Sequence, residues 1–192
     1  MREGTDFDVR AERKVVLTRR LFDSLALTDT PQGVLAIGGA ELRPIGEAIR
    51  AARLAGWPLV VLDGIQDPGN VGAIARTAAA AGAPALAVLP GCADPLGPKA
   101  IRGSAGHVFK LTVARATWPD LADLRLLGAD ARGEAYAGAD LDVDALVLGS
   151  EAHGLSRPVP FVAVPMANGV ESLNVGAAAA VLLFEIARRK RG

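Results

Sequence analysis

The run Leu59-Val60-Val61-Leu62 is apolar at every position and ends in Asp63-Gly64. Successive side chains of a strand point to opposite faces, so a strand of this kind needs cover on both sides. Comparable apolar runs fall at 85–89, 107–113, 126–131, 145–148 and 161–164. Helical spacing fills the gaps at about 70–81, 98–103, 117–124 and 174–190. This alternation predicts an α/β fold: a mostly parallel sheet with helices on both faces. Ahead of it, Pro44 opens a helix carrying Ile45, Ala48, Ile49 and Ala52 on one face, and Gly56 stops it. Earlier still, 14–17 reads as a short strand. Thr18 reads as the N-cap of a helix bearing Leu21, Phe22 and Leu25, and 33–37 as a second strand after the turn Thr30-Pro31-Gln32. These pieces are too few to make a domain alone.

At 192 residues and 51% hydrophobic, the chain has enough material for one ordinary core and a small appendage. No apolar run reaches the ~18 residues a membrane span requires, and the charged N-terminus lacks a signal-peptide core. Cys92 is the single cysteine, which excludes an intrachain disulfide and a thiolate metal cluster. A cytoplasmic protein without a membrane partner is expected. Lys and Arg number 21 and Asp and Glu 21. That balance argues against strong nonspecific nucleic-acid binding, which rests on neutralising phosphates. Basic clusters at 10–14 with Arg19-Arg20, and at 188–191, read first as solvated termini.

Ligands of parallel α/β folds bind beyond the carboxyl ends of strands. Three predicted strands run there into polar turns. The first continues through Asp67-Pro68-Gly69-Asn70, where Asn70 can cap the next helix; Gly72 and Arg76 then share a face of that helix, with room beside Arg76 for something to approach. A plain turn with an exposed arginine has the same composition. The second turn is Gly149-Ser150-Glu151. Gly149 permits close backbone approach, and Glu151 can pair with Arg76, meet a ligand donor, or simply cap a short helix. The third places Ser172 and Asn174 at a helix N-terminus with free N–H groups. His107 and His153 stand apart, so no metal site is expected. The Gly-x-Ser-x-Gly, Gly-x-Gly-x-x-Gly and Gly-Lys-Ser/Thr patterns of hydrolase, dinucleotide and phosphate-loop sites are missing. Trp57 and Trp118 each adjoin a proline and read as packing residues.

In order, Asn70-Val71-Gly72-Ala73-Ile74-Ala75-Arg76, then Leu148-Gly149-Ser150-Glu151-Ala152-His153-Gly154-Leu155-Ser156, then Val164-Pro165-Met166 through Ser172-Leu173-Asn174-Val175 resemble the three motifs of SpoU-type RNA methyltransferases of the SPOUT superfamily. The resemblance covers about residues 44–190. One departure is Ala152-His153, where glycine commonly follows the glutamate. The resemblance implies a C-terminal trefoil knot, which the strand pattern does not show. It implies S-adenosylmethionine held in a bent shape by the knotted loops. Gly149, Val164, Met166 and Leu173 would supply cofactor contacts, largely through backbone. Asn70, Arg76, Glu151, Ser172 and Asn174 match catalytic or site-forming positions. It also implies a homodimer with sites near the interface, to which the small residues Gly176 and 177–180 are suited.

The implied reaction is S-adenosylmethionine-dependent methylation of a ribose 2′-hydroxyl in ribosomal or transfer RNA. The Asn-x-Gly-x-x-x-Arg form of the first motif favours ribose over a base. A guanidinium rarely gives up its proton, so Arg76 is expected to stay charged, bind a phosphate and stabilise negative charge, oriented by Asn70 and Glu151. Ser172 or Asn174 would position the ribose. The alternatives are a catalytically weak module that binds cofactor or RNA, a base-modifying SPOUT methyltransferase, and, last, a doubly wound small-molecule enzyme. By the same resemblance, 1–42 is the closing part of an N-terminal RNA-recognition domain and 43–192 the methyltransferase domain. The expectation is a shortened form or a late-assigned start. It would hold RNA weakly and show an exposed apolar patch or disorder before residue 30.

Overall fold

The computed structural model describes residues 11–26 and 30–191. It divides into two compact units, Met1–Ala40 and Glu41–Gly192. In the first, helix α1 spans Arg19–Leu25 after Thr18, whose side chain makes no capping bond, and Phe22 is its buried residue. Neither 14–17 nor 33–37 forms a strand; Leu17 makes only an isolated bridge. Val15, Val16, Leu21, Leu25 and Ile37 are exposed apolar side chains, Ile37 entirely so. Of these, Ile37 lies beyond the span before residue 30 where a patch was expected. The alternative of disorder falls in part on 1–10 and 27–29, outside the described residues.

In the second unit, α2 (Ile45–Leu54) follows Pro44, and β1 (Leu59–Asp63) leads into α3 (Pro68–Ala81). Next come β2 (Ala85–Val88), α4 (Pro98–Gly103), β3 (Thr112–Arg115), β4 (Leu126–Ala135), β5 (Ala145–Gly149), β6 (Phe161–Ala163) and α5 (Val175–Arg191). The sheet order is β3-β2-β1-β5-β4-β6, and every pairing is parallel. Alternate residues feed two cores. Val60, Leu62, Leu86, Leu146 and Leu148 pack beneath α3, α4 and α5, while Leu59, Val61, Ala85, Ala145 and Val147 pack against Ala48 and Ala52 of α2 and against Leu121. The all-apolar strands are therefore covered on both sides, as their composition requires.

Three elements differ from the sequence expectation. Residues 107–110 form a 3₁₀ turn rather than the start of a strand, because Gly106 enters with φ 76° and the buried Ser104 hydroxyl accepts from Val108 N at 3.3 Å. The 117–124 helix shrinks to a 3₁₀ turn, Trp118–Leu121, closed by a Thr117–Asp120 capping box. β4 runs on to Ala135 through a shift in register between Ala129 and Glu134. There Gly133 lies so close to β6 that a Cβ would meet Phe161 C at 2.4 Å.

Helices α3 and α4 touch backbone to backbone. A Cβ on Gly72 would lie 2.4 Å from Ala100 O and 2.9 Å from Gly103 Cα. The approach that Gly72 allows is made by α4. At the far end, Arg189 of α5 donates to Ala139 O at 2.7 Å and to the carbonyls of Tyr136 and Ala137, pinning the helix over the segment after β4.

Gly72→Ala should destabilise the unit. The ~1 kcal/mol that alanine gains in helix propensity is outweighed by ~1–3 kcal/mol of overpacking against rigid backbone. Chemical denaturation would show a lower midpoint. A second expectation concerns acid. Hydrogen bonds from Arg188 and Arg189 pull the Glu185 carboxyl down to about 2. A depressed carboxylate stabilises fully above its unfolded value and loses that contribution as pH falls through its folded one. Melting temperatures of Glu185→Gln and the parent, measured from pH 5 to 2, should converge as pH falls.

Candidate functional site

β1 and β5 are neighbours, with Asp63 paired to Gly149 at their carboxyl ends. Their turns therefore emerge side by side at the point where the strand order reverses. The third turn leaves β6, two strands away, and returns because α5 packs against α3. All three meet at one corner.

The first turn starts its helix earlier than expected. Asp67, not Asn70, is the N-cap of α3; its carboxylate accepts from Gly69 N and from Asn70 N at 3.1 Å, with Pro68 at the first helical position. These two backbone donors, with the Lys99 ammonium, hold the Asp67 carboxyl below the ordinary range. Asn70 sits inside the first turn, and its side chain is free to reach across. It donates to Glu151 Oε1 at 3.1 Å. Asn174 Nδ2 donates to the same oxygen at 2.6 Å and to Asn70 Oδ1 at 3.1 Å. Val175 N adds a further donor to Glu151 Oε1 at 3.2 Å. Asn174 also caps α5, its Oδ1 accepting from Gly176 N at 2.9 Å and Ala177 N at 3.3 Å. One residue from each turn thus joins a single hydrogen-bonded knot of side chains.

Glu151 does not pair with Arg76, and neither Asn70 nor Glu151 orients it. The Arg76 side chain is exposed and makes no hydrogen bond or ion pair among the described residues. The reason is helical geometry: six residues beyond Asn70, it lies about 9 Å further along α3 and roughly 240° around it. The expectation that these three residues act as one cluster is corrected to that extent.

The second turn is shaped by its own chain. Ser150 and Gly154 exchange backbone bonds at 2.8 and 3.1 Å, folding the loop back over Gly149. A Cβ on Gly149 would meet Gly154 C at 2.5 Å and Leu155 N at 2.7 Å, so the close approach to that glycine comes from this loop. Gly154 itself has φ 67°. Beyond it, Ser156 donates to Asp63 through N at 2.5 Å and Oγ at 3.0 Å. Trp118 Nε1 donates to Ser156 Oγ at 2.9 Å, which makes this tryptophan an anchor as well as a packing residue. Asp63 is buried, so these bonds satisfy a carboxylate that would otherwise be costly to bury.

Next to the three-turn corner opens a cavity of about 320 Å³, near the lower end of ligand-site sizes. Gly149, Val164, Met166 and Leu173, the four cofactor positions, all line it, as do Ser172 and Glu151. Sequence reasoning missed Asp130, Arg132 and Val162 and gave His153 no role; all four are on the wall. Arg132 binds both oxygens of Asp130 at 2.8 Å and lies 5.1 Å over the Phe161 ring. Its hydrogen bonds hold the Asp130 carboxyl below the usual range. The signal for these residues was weak: acid and base two apart in a strand, at a shift of register that sequence does not show. Among the described residues, no group of three metal-ligating side chains occurs.

A parallel α/β domain whose turns after β5 and β6 wall one cavity, with the turn after β1 bonded beside it through Asn70, is a ligand-binding domain of the strand-end type. Residues 58–184 match the model of the SpoU rRNA Methylase family, and the chain belongs to that family. A tRNA/rRNA methyltransferase of Mycolicibacterium paratuberculosis is 41% identical over 70% of this chain and 48% of its own length. The chain spans about half the length of the first curated relatives it matches. Among solved structures, the AdoMet-bound rRNA methyltransferase of Sinorhizobium meliloti superposes with TM-score 0.78 at 28% identity, covering 91% of this chain and 71% of that one. An RNA 2′-O ribose methyltransferase superposes with TM-score 0.67 at 30% identity, over 92% of this chain and 71% of the other.

Asn174→Ala removes both the cap of α5 and the shortest bond to Glu151. Loss of the cap alone should cost about 1 kcal/mol. Hydrogen exchange should report faster opening of the first turn of α5, with α4 unchanged.

Proposed function

We propose that this chain methylates a ribose 2′-hydroxyl in ribosomal or transfer RNA, using S-adenosylmethionine. The observation that carries the reading is the bonding of Asn70, Asn174 and Glu151 beside the cavity walled by Gly149, Val164, Met166 and Leu173. The residues fit the cofactor. The wall mixes apolar side chains with Ser150, Ser172 and the loop backbone around Gly149 and Gly154, suited to a ligand with an apolar ring and polar ends. A relative bound to AdoMet and another described as a ribose 2′-O enzyme support the choice. When bound, the cofactor supplies a methyl group already activated on a sulfonium, chemistry that calls for no metal.

The chain's own residues have separate tasks. Oε1 of Glu151 is occupied by its Asn70, Asn174 and Val175 donors, while Oε2 has no partner among the described residues. Oε2 is therefore the oxygen left to accept from a ribose hydroxyl. Ser172, on the wall of the same cavity, supplies a second hydroxyl contact. Arg76, charged and unpaired, lies further along α3 than the corner and holds a phosphate of the substrate. Water is displaced as the substrate covers the open side of the cavity, and that strengthens each of these contacts.

The dimer and the trefoil knot belong to the same reading. The outer face of α5 offers Ala177, Val181 and the exposed Phe184 to a second copy. The knot would place the loops after β5 and β6 under one another at the cavity. The chain works in the cytoplasm, where its RNA would be.

Arg76→Ala should bind S-adenosylhomocysteine as the parent does in calorimetric titration. Methyl transfer to RNA from a strain lacking this gene should fall ~100- to 1000-fold. The parent's product should be a 2′-O-methylated nucleoside on digestion. A methylated base, or near-normal transfer by the variant, would refute the assignment of target or of Arg76 respectively.

A further inference from the structure

Charge is unevenly placed in this neutral chain. From Pro95 to Pro119 there is no aspartate or glutamate, while Lys99, Arg102, Lys110 and Arg115 all fall within that stretch. All four are exposed. Lys99 and Arg102 are on α4, Lys110 ends the 3₁₀ turn His107–Lys110, and Arg115 ends β3. Folding lays α4 and this turn along the flank of α3. Gly72 meets Gly103, and Val108 enters the same core as Ile74 and Ala78. Arg76, one turn beyond Gly72 and about 40° around the axis, borders the same flank. Two acids adjoin α4: Asp94, whose carboxylate accepts from Leu96 N, and Asp67, which pairs with Lys99 at 3.3 Å.

An aromatic ring stands among these cations. Phe109 is 58% exposed, although its neighbour Val108 is buried. Nothing in the unit covers it. A phenyl ring held in water between Val108 and Lys110 matches the pairing of stacking platform and cation used for single-stranded nucleic acid.

We propose that the α3–α4 flank is the track along which the RNA strand lies on leaving the methylation corner. Arg102 and Lys110, with Lys99 at the first turn and Arg76 further along α3, grip successive phosphates, and Phe109 stacks on a base. This rests on the reading that the substrate is RNA. The track begins at Lys99, which pairs with Asp67 of the first turn, so a strand whose ribose sits at the corner reaches it without crossing the rest of the domain. An acidic protein segment would satisfy the cations but leave the ring without a planar partner. A second copy of this chain, docked face to face here, would set like charges against each other.

The test uses the full chain and a fluorescent single-stranded RNA oligonucleotide of mixed sequence, with affinity measured against KCl concentration. Arg102→Ala/Lys110→Ala should weaken binding at low salt by about tenfold. It should also reduce the slope of log K against log salt by about 1.4, two phosphates at ~0.7 each. Phe109→Ala should weaken binding by about tenfold with the slope unchanged. Arg50→Ala/Arg53→Ala removes the same charge from α2, on the opposite face of the sheet, and should alter neither. Titration with S-adenosylhomocysteine confirms that each variant is folded. Unchanged binding in the first two variants, an equal loss in the α2 variant, or a change of oligomeric state in Phe109→Ala would overturn the track. In those cases methyl transfer by the parent would leave the reading of function standing. A parent that neither binds nor methylates RNA would bring down both.

Discussion

A single carboxylate oxygen ties this site together. Glu151 Oε1 receives hydrogen bonds from Asn70 of α3, from Asn174 ahead of α5, and from the first backbone N–H of α5. Its position at the N-terminus of a 17-residue helix adds the attraction of that helix end for negative charge. Charge-assisted bonds are roughly twice as strong as neutral ones, which matters here because the three segments come from distant parts of the chain. The corner is held by side chains, and the backbone beneath it is free to follow.

Support for that corner comes from close-packed glycines and a buried acid. Gly72 against α4 fixes the tilt of α3 and with it the direction of Asn70. Gly149 lets the 150–154 loop fold down over β5, which brings Glu151 to the corner. Asp63 then binds Ser156 and ties the far end of that loop to β1. The close approaches that Gly72 and Gly149 allow are made by the chain itself. The ligand space lies one layer out, bounded by the loop those glycines allow.

Arg76 is the exception, and its isolation is informative. Asn70, Asp67 and Glu151, by contrast, are each held by a neighbour. The guanidinium alone points to solvent from a helix whose packing is otherwise set by alanine and glycine. A group kept free in this way is available to a partner that arrives from outside.

Composition and period determined much of this protein without reference to coordinates. Strands apolar at every position demanded a sheet buried on both faces. The order of strand and helix demanded parallel pairing, and the polar turns marked the carboxyl edge as the place for chemistry. Boundaries failed where local bonds outweighed apolar pattern: Ser104 and Gly106 diverted 107–110 from a strand, and Asp67 captured the helix start from Asn70. Tertiary structure alone decided which polar residues meet. Asn70 and Arg76 are close in sequence yet separated by the turn of a helix, whereas Glu151 and Asn70 are far apart in sequence and share a hydrogen bond. Contacts between distant segments depend on sheet order and helix packing, and the strand pattern specifies neither.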